Sequence, residues 1–207
     1  MSKKPYDLYT TAEDSLKGDI NLLDGDERKR YKRFLTDQKK EEFLMGRTFL
    51  KHCLSKHLNI PPKQISFSYS KNGKPYLSSI YGASVFFNLS HSNGYFVVGI
   101  SNKELGVDME PITKLDEKKL KWFLSPQELK EVQSITDENQ RKMSLFKLFT
   151  MKEAFIKATD KSFVLSDFSF WYVDNEWKLQ VEDTHSWKFD TKMIGNEITI
   201  AICYQED

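Results

Sequence analysis

Two acidic side chains stand two residues apart in Gly106-Val107-Asp108-Met109-Glu110. The segment follows an apolar run from Tyr95 to Ile100 and a polar turn over 101–104, and it reads as a strand. Residues i and i+2 of a strand share a face, so Asp108 and Glu110 point one way while Val107 and Met109 point toward a core. Paired carboxylates raise each other's pKa unless positive charge lies between them. A divalent cation answers that need, and Mg2+ takes oxygen ligands, commonly one or two carboxylates with water and a substrate phosphate. The alternative is a solvated strand face on which two acids cost little. A second charged set, Lys152-Glu153-Ala154-Phe155-Ile156-Lys157, sits in a helical pattern. Glu153 and Lys157 are four apart and share a helix face, while Lys152 projects about 100° away, at the edge of the same region. A helix this apolar does not bury three charges without partners. The alternative here is a surface stripe with one salt bridge of about 0.3–0.5 kcal/mol.

These side chains need a frame. Apolar residues at helical spacing, among them Phe43, Leu44, Phe49, Leu50 and Leu54, predict a helix over 37–57 that Pro61-Pro62 stops. The charged stretch from Asp26 to Phe34 has acids first and bases later, which suits a short helix on its macrodipole, or simply a solvated face. Ser125-Pro126-Gln127-Glu128 has the form of a capping box, with Ser at N-cap, Pro at N1 and Glu at N3. A long, largely buried helix follows over 138–159, and a helix is also expected over 115–123. Strands are predicted near 6–9, 65–69, 85–89, 95–100, 168–173, 176–181 and 197–204. Asn72-Gly73, Asn93-Gly94, Asp174-Asn175 and Gly195-Asn196 supply turns. Strands and helices mix without βαβ alternation, which predicts an α+β fold. Two lobes are expected, 1–102 and 103–207, the second carrying the metal site.

The chain has 207 residues, 15 of them Phe, enough for a real core. A net charge of +1 gives no overall field for nucleic acid or an anionic membrane, so any anion site is local. No apolar run approaches a membrane span, and the N-terminus lacks the apolar region of a secretory signal. Cys53 and Cys203 form neither a C-x-x-C pair nor a metal spacing, so buried reduced thiols and a cytoplasmic location are expected. The sequon Asn88-Leu89-Ser90 then stays unmodified.

Four segments in order resemble the Sfp-type 4′-phosphopantetheinyl transferases. They are Gly73-Lys74-Pro75, Asn88-Leu89-Ser90-His91, Gly106-Val107-Asp108-Met109-Glu110, and Phe149-Thr150-Met151-Lys152-Glu153-Ala154-Phe155-Ile156-Lys157. The resemblance runs from about Arg30 to the last strand. It implies two α+β lobes related by a pseudo-twofold axis with the active site between them. It also implies Mg2+-dependent transfer of phosphopantetheine from coenzyme A to a serine of an acyl- or peptidyl-carrier domain, with release of adenosine 3′,5′-bisphosphate. Asp108, Glu110 and Glu153 match the family's metal acids; Met109 cannot ligate, so water completes the shell. Glu153 or Glu128 would accept the serine proton, Glu128 also serving as a cap. Lys152 and Lys157 would contact the diphosphate, and His91 and Lys74 the 3′-phosphate or adenosine end. Ser90 would add a hydrogen bond, and Arg30 matches a cationic position.

Phe149 stands where the family has Trp, and Glu27 where it is often basic, which would weaken adenosine-phosphate binding. Lys118, Lys119, Lys121, Trp122 and Phe123 combine bases with apolar contacts for an acidic carrier, or form a solvated helix with Trp122 in the core. A monomer is expected, with neither nucleic acid nor membrane as partner. A Mg2+-dependent nucleotide-diphosphate hydrolase could use the same acids, and a non-catalytic scaffold could bind coenzyme A or a carrier. The intact Asp108, Glu110, Glu153 and Lys157 favour the transferase over the scaffold. No Gly-x-Gly-x-x-Gly or Walker sequence is present.

Overall fold

The computed structural model describes residues 4–77, 85–113, 122–162, 165, 168–173, 176–180 and 187–205. The chain divides into two units, Met1–Lys103 and Glu104–Asp207. The helix expected over 115–123 falls mostly outside the described residues, as do Lys118, Lys119, Lys121 and the Asp174-Asn175 turn.

The first unit holds β1 (Tyr6–Ala12), α1 (Gly25–Arg33), α2 (Asp37–Leu58), β2 (Phe67–Tyr69), β3 (Pro75–Leu77), β4 (Phe86–Ser92) and β5 (Tyr95–Ser101). The order β1-β5-β4 makes an antiparallel sheet, and β2 pairs with β3. Leu50, Cys53 and Leu54 of α2 bury against Phe87, Val98 and Ile100 of this sheet. Each fully buried aliphatic contributes about 1.5–3 kcal/mol. Thr36 caps α2 by accepting from the Lys39 amide, and Asn59 ends it at a φ of 55°, a left-handed position that Asn tolerates.

The second unit holds β6 (Leu105–Pro111), α3 (Pro126–Ser134), α4 (Glu138–Thr159), β7 (Ser169–Val173), β8 (Glu176–Gln180), β9 (Trp187–Ile194) and β10 (Ile198–Gln205). Its sheet order is β6-β10-β9, with β7 and β8 paired separately. Leu148, Met151, Ala154, Phe155 and Ala158 of α4 build the core with Ala201 and Cys203 of β10. The sequence reading places no strand over 187–194, although Trp187, Phe189, Thr191 and Met193 alternate there with Lys188, Asp190 and Lys192. It also bounds its third strand at Val85 and Leu89 and ends it at Ser90-His91-Ser92, whereas β4 includes those three residues.

The two units repeat one plan at a spacing of 101 residues. Helix α2 at 37–58 matches α4 at 138–159. The pair Asp7↔Ile100 matches Asp108↔Ala201. The capping boxes at Asp24/Glu27 and Ser125/Glu128 match as well. At the positions of Glu110 and Glu153 the first unit carries Tyr9 and His52, so the acid cluster belongs to the second unit alone. Among the described residues no helix is long and apolar enough to cross a membrane.

Candidate active site

The site begins with a missing side chain. Gly106, Asp108 and Glu110 share one face of β6, and α4 lies directly on it. A Cβ at Gly106 would fall well inside contact distance of the Ala154 carbonyl oxygen and the Ala158 amide nitrogen. Only glycine allows this approach, which carries Glu153 and Lys157 to the acids of β6. Gly106→Ala is therefore expected to force strand and helix apart. The cost is about 3 kcal/mol or more, because backbone rather than a flexible side chain must yield. Urea unfolding followed by circular dichroism measures it, and a loss below 1 kcal/mol would refute the packing argument.

Val107 and Met109 face the core as the alternation requires, but Asp108 is only 3% exposed because α4 covers its face too. A solvated strand face is thereby excluded for Asp108. Its Oδ1 accepts from Lys157 Nζ at 2.5 Å. Glu110 is pushed up to about 7, first by burial and then by Asp108 and Glu153, with Lys157 opposing. Glu153 is also raised, by burial and Asp108, again against Lys157. Three carboxylates thus feel one another across a single ammonium. Among the described residues no three acidic, His or Cys side chains are already gathered at ligating geometry. The chemistry of the donor set nonetheless fits a hard divalent cation: hard oxygens, excess negative charge and partial burial.

These shifts set a pH dependence. Glu110 and Glu153 bind protons more tightly in the folded chain than in the unfolded one. Stability of the metal-free protein therefore falls as pH rises from the ordinary glutamate range through about 7. For Glu110 the loss is about 1–3 kcal/mol after solvent screening. Melting temperatures in EDTA at pH 5 and pH 8 should differ by several degrees more for the wild type than for Glu110→Gln. Adding Mg2+ at pH 8 should recover the difference. Identical pH profiles for the two proteins would refute the assignment.

Lys152 does not join this cluster, contrary to the edge position that spacing predicts. It turns into the unit, fully buried, and its Nζ meets Glu128 Oε2 at 2.7 Å. It also donates to the carbonyls of Phe123, Leu165 and Phe168 at 2.8, 2.6 and 2.9 Å. Burial lowers its pKa, opposed by Glu128. Glu128 is equally buried and accepts from the Ser125 and Phe170 amides at 2.7 and 2.8 Å. Both groups are thus used within the interior, which supports the capping role of Glu128. The first unit repeats the device: Glu27 Oε2 meets Lys51 Nζ at 2.7 Å, and Lys51 donates to the Leu22 carbonyl. Glu27 therefore faces inward, not toward an anion site, and Arg47 Nε completes the group at 3.1 Å from Glu27 Oε1.

In the first unit Arg30 lies over the rings of Phe43 and Tyr69, at 5.6 and 5.9 Å. Arg47, which the sequence reading misses, lies over Phe43 and Phe67 and donates to the Tyr69 hydroxyl at 3.2 Å. The helical spacing of Arg47 with Phe43, Leu50 and Leu54 was the available signal. Lys74 follows Gly73, whose φ is +87°, and its amide donates to Ser70 Oγ. On β4, Ser90 is buried and His91 is exposed, stacked on Phe96 at 5.5 Å. His91 Nε2 lies 3.7 Å from Glu42, in a hollow of about 240 Å³ that Lys39 and Glu13 also line. Phe149 packs edge-on against Phe123, while Trp122 is 79% exposed and so not in the core.

Comparison with known proteins adds the following. A family model described as 4′-phosphopantetheinyl transferase, N-terminal, matches residues 9–104, and one described as 4′-phosphopantetheinyl transferase superfamily matches 104–203. The 4′-phosphopantetheinyl transferase HetI of a Nostoc species is 34% identical over 66% of this chain and 59% of its own. The 4′-phosphopantetheinyl transferase gsp of Aneurinibacillus migulanus is 35% identical over 64% of this chain and 54% of its own. The 4′-phosphopantetheinyl transferase Sfp of Bacillus subtilis is 25% identical over 81% and 75%. The match thus spans little more than half the length of the first two relatives.

Proposed function

The chain belongs to the 4′-phosphopantetheinyl transferase superfamily, and from that premise we propose that it moves the phosphopantetheine arm of coenzyme A to a carrier-domain serine. The observation that supports this most is the convergence of Asp108 and Glu110 of β6 with Glu153 and Lys157 of α4. The serine oxygen attacks the phosphorus that bears the pantetheine arm. The bond from that phosphorus to the bridging oxygen breaks, and adenosine 3′,5′-bisphosphate leaves with the electron pair. Glu153, the acid of α4 that reaches the acids of β6, takes the serine proton. Lys157 faces the charge that develops on the diphosphate. Asp108, Glu110 and Glu153 would hold Mg2+, which when bound neutralises diphosphate charge. Lys152 and Glu128 act as positioning residues in this scheme, because their polar atoms are engaged inside the unit.

Arg30, Lys74, Ser90 and His91 are assigned to the phosphates and adenosine of coenzyme A. Arg47 joins them through its stack with Phe43 and Phe67. Both cysteines are buried, and burial pushes the Cys53 thiol up to about 12, which keeps it inert in a cytoplasmic monomer. Intact-protein mass spectrometry tests the reading. An apo acyl-carrier protein and an apo peptidyl-carrier domain are each incubated with coenzyme A, Mg2+ and the enzyme. The expected result is a gain of one phosphopantetheine, lost in EDTA. Consumption of coenzyme A with no mass gain on either carrier would replace the transferase with a hydrolase.

A further inference from the structure

The interior ion pairs of the two units match residue for residue, but the first is joined by polar groups that the second lacks. Under the repeat of 101 residues, Glu27, Lys51 and Phe67 take the places of Glu128, Lys152 and Phe168. The ammonium lies over the phenylalanine ring in both units, at 5.6 Å for Lys51 and 5.0 Å for Lys152. Two places differ. Arg47 stands where the second unit buries Leu148, and Tyr69 where it buries Phe170. The carboxylates differ with them. Glu128 Oε1 accepts the Phe170 amide, whereas among the described residues Glu27 Oε1 accepts no such bond and faces Arg47 Nε at 3.1 Å. Arg47 Nη2 in turn donates to the Tyr69 hydroxyl at 3.2 Å, and Phe43 and Phe67 pack on the guanidinium.

A nearly buried guanidinium is costly to desolvate. The second unit closes the same layer with leucine and phenylalanine, so folding requires neither the arginine nor the hydroxyl, and a ligand accounts for them. We propose, on the transferase reading above, that Glu27 and Tyr69 are positioning residues that aim Arg47 at a phosphate of coenzyme A. Glu27 holds the Nε edge from the interior and is itself held by Lys51 and the Asp24 amide, at 2.7 and 3.0 Å. Tyr69 holds Nη2. Nη1 is left to meet a phosphate oxygen, beside Arg30, whose guanidinium also lies over Phe43 and Tyr69. A fork fixed in its plane loses less freedom when it binds. The charges agree with an anionic occupant: Arg30, Arg47 and Lys51 face two acids, Glu27 and Asp24. An acid at position 27 thereby serves anion binding from behind, through Arg47.

Calorimetric titration of variants with coenzyme A tests this, alongside the transfer assay described above. Arg47→Leu and Tyr69→Phe each install the residue that the second unit already uses, so their melting temperatures should stay within about 3 °C of wild type. Arg47→Leu should raise the Kd for coenzyme A about thirtyfold or more. Tyr69→Phe should raise it about three- to tenfold, with kcat at saturating coenzyme A within about twofold of wild type. Because Tyr69 acts through Arg47, adding Tyr69→Phe to Arg47→Leu should weaken binding by less than about twofold more. Glu27→Gln is made together with Lys51→Met, so that no buried ammonium loses its carboxylate. That pair should raise the Kd about tenfold in the wild-type background and leave it unchanged in the Arg47→Leu background. Equal losses from Tyr69→Phe with and without Arg47 would overturn the positioning role. So would a wild-type Kd in both Tyr69→Phe and Glu27→Gln/Lys51→Met. Absence of transfer by the wild type on both carriers, with the binding results as expected, would instead remove the transferase reading alone.

Discussion

Exchanging Glu153 for glutamine should reduce phosphopantetheine transfer at least about 10³-fold while the melting temperature of the metal-free protein in EDTA holds or rises. The kinetic loss follows from position. Glu153 is the acid on α4 that reaches the two acids of β6, and it serves as both proton acceptor and metal ligand in the proposed reaction. Removing a positioned base costs about 10²–10⁴-fold, and weakened diphosphate neutralisation adds to that. The stability result follows from charge. Glu153 is already penalised by burial and by Asp108, so a neutral isostere relieves repulsion. Asp108→Asn is a less clean probe, because Asp108 is buried and carries the ion pair with Lys157. It should lose transfer and some stability together. Single-turnover transfer to a carrier, paired with calorimetry, separates the two effects. Activity of Glu153→Gln within tenfold of wild type would remove Glu153 from the chemistry.

Lys152→Met should destabilise the protein by about 3–5 kcal/mol, although its neighbour in sequence can be exchanged without loss. Removing one partner of a buried ion pair leaves the other charge uncompensated. Here Glu128 would stay fully buried with only amide donors, and the carbonyls of Phe123, Leu165 and Phe168 would each lose a donor. Lys152→Met/Glu128→Gln should recover part of that loss, since the uncompensated charge is gone while the cap amide keeps an acceptor. The repeated device in the first unit provides an internal comparison. Lys51→Met should cost less than Lys152→Met, because Arg47 still pairs with Glu27. Exposed Lys56→Met should change stability by less than about 0.5 kcal/mol. Urea unfolding of these variants gives the order directly. Equal values for Lys152→Met and Lys56→Met would show that the buried pair carries no weight.

The sequence alone determined the local structure, because it depends on near neighbours. Both long helices are legible in apolar spacing and in their stop signals. The capping box at Ser125 is legible in four residues, and so is the alternation that turns Val107 and Met109 inward. It also brought forward Asp108, Glu110, Glu153 and Lys157 as a group. What the tertiary structure decided is which of the charged residues face one another. Lys152 and Glu153 are adjacent in sequence, yet one reaches the interior and the other the acid site. A rotation of about 100° between neighbours on a helix becomes decisive once a second layer packs against both sides.

The same limit explains Glu27. Its charged neighbours read as a solvated face, while capping and the distant Lys51 and Arg47 draw it into the interior. Nor does spacing along the chain disclose that Gly106 is the point where α4 rests on β6, because the contact joins residues about fifty positions apart. The repeat at 101 residues is likewise visible in register and capping rather than in composition. Packing retains the shape of an element and the partners of its buried charges, and leaves its other side chains free to differ.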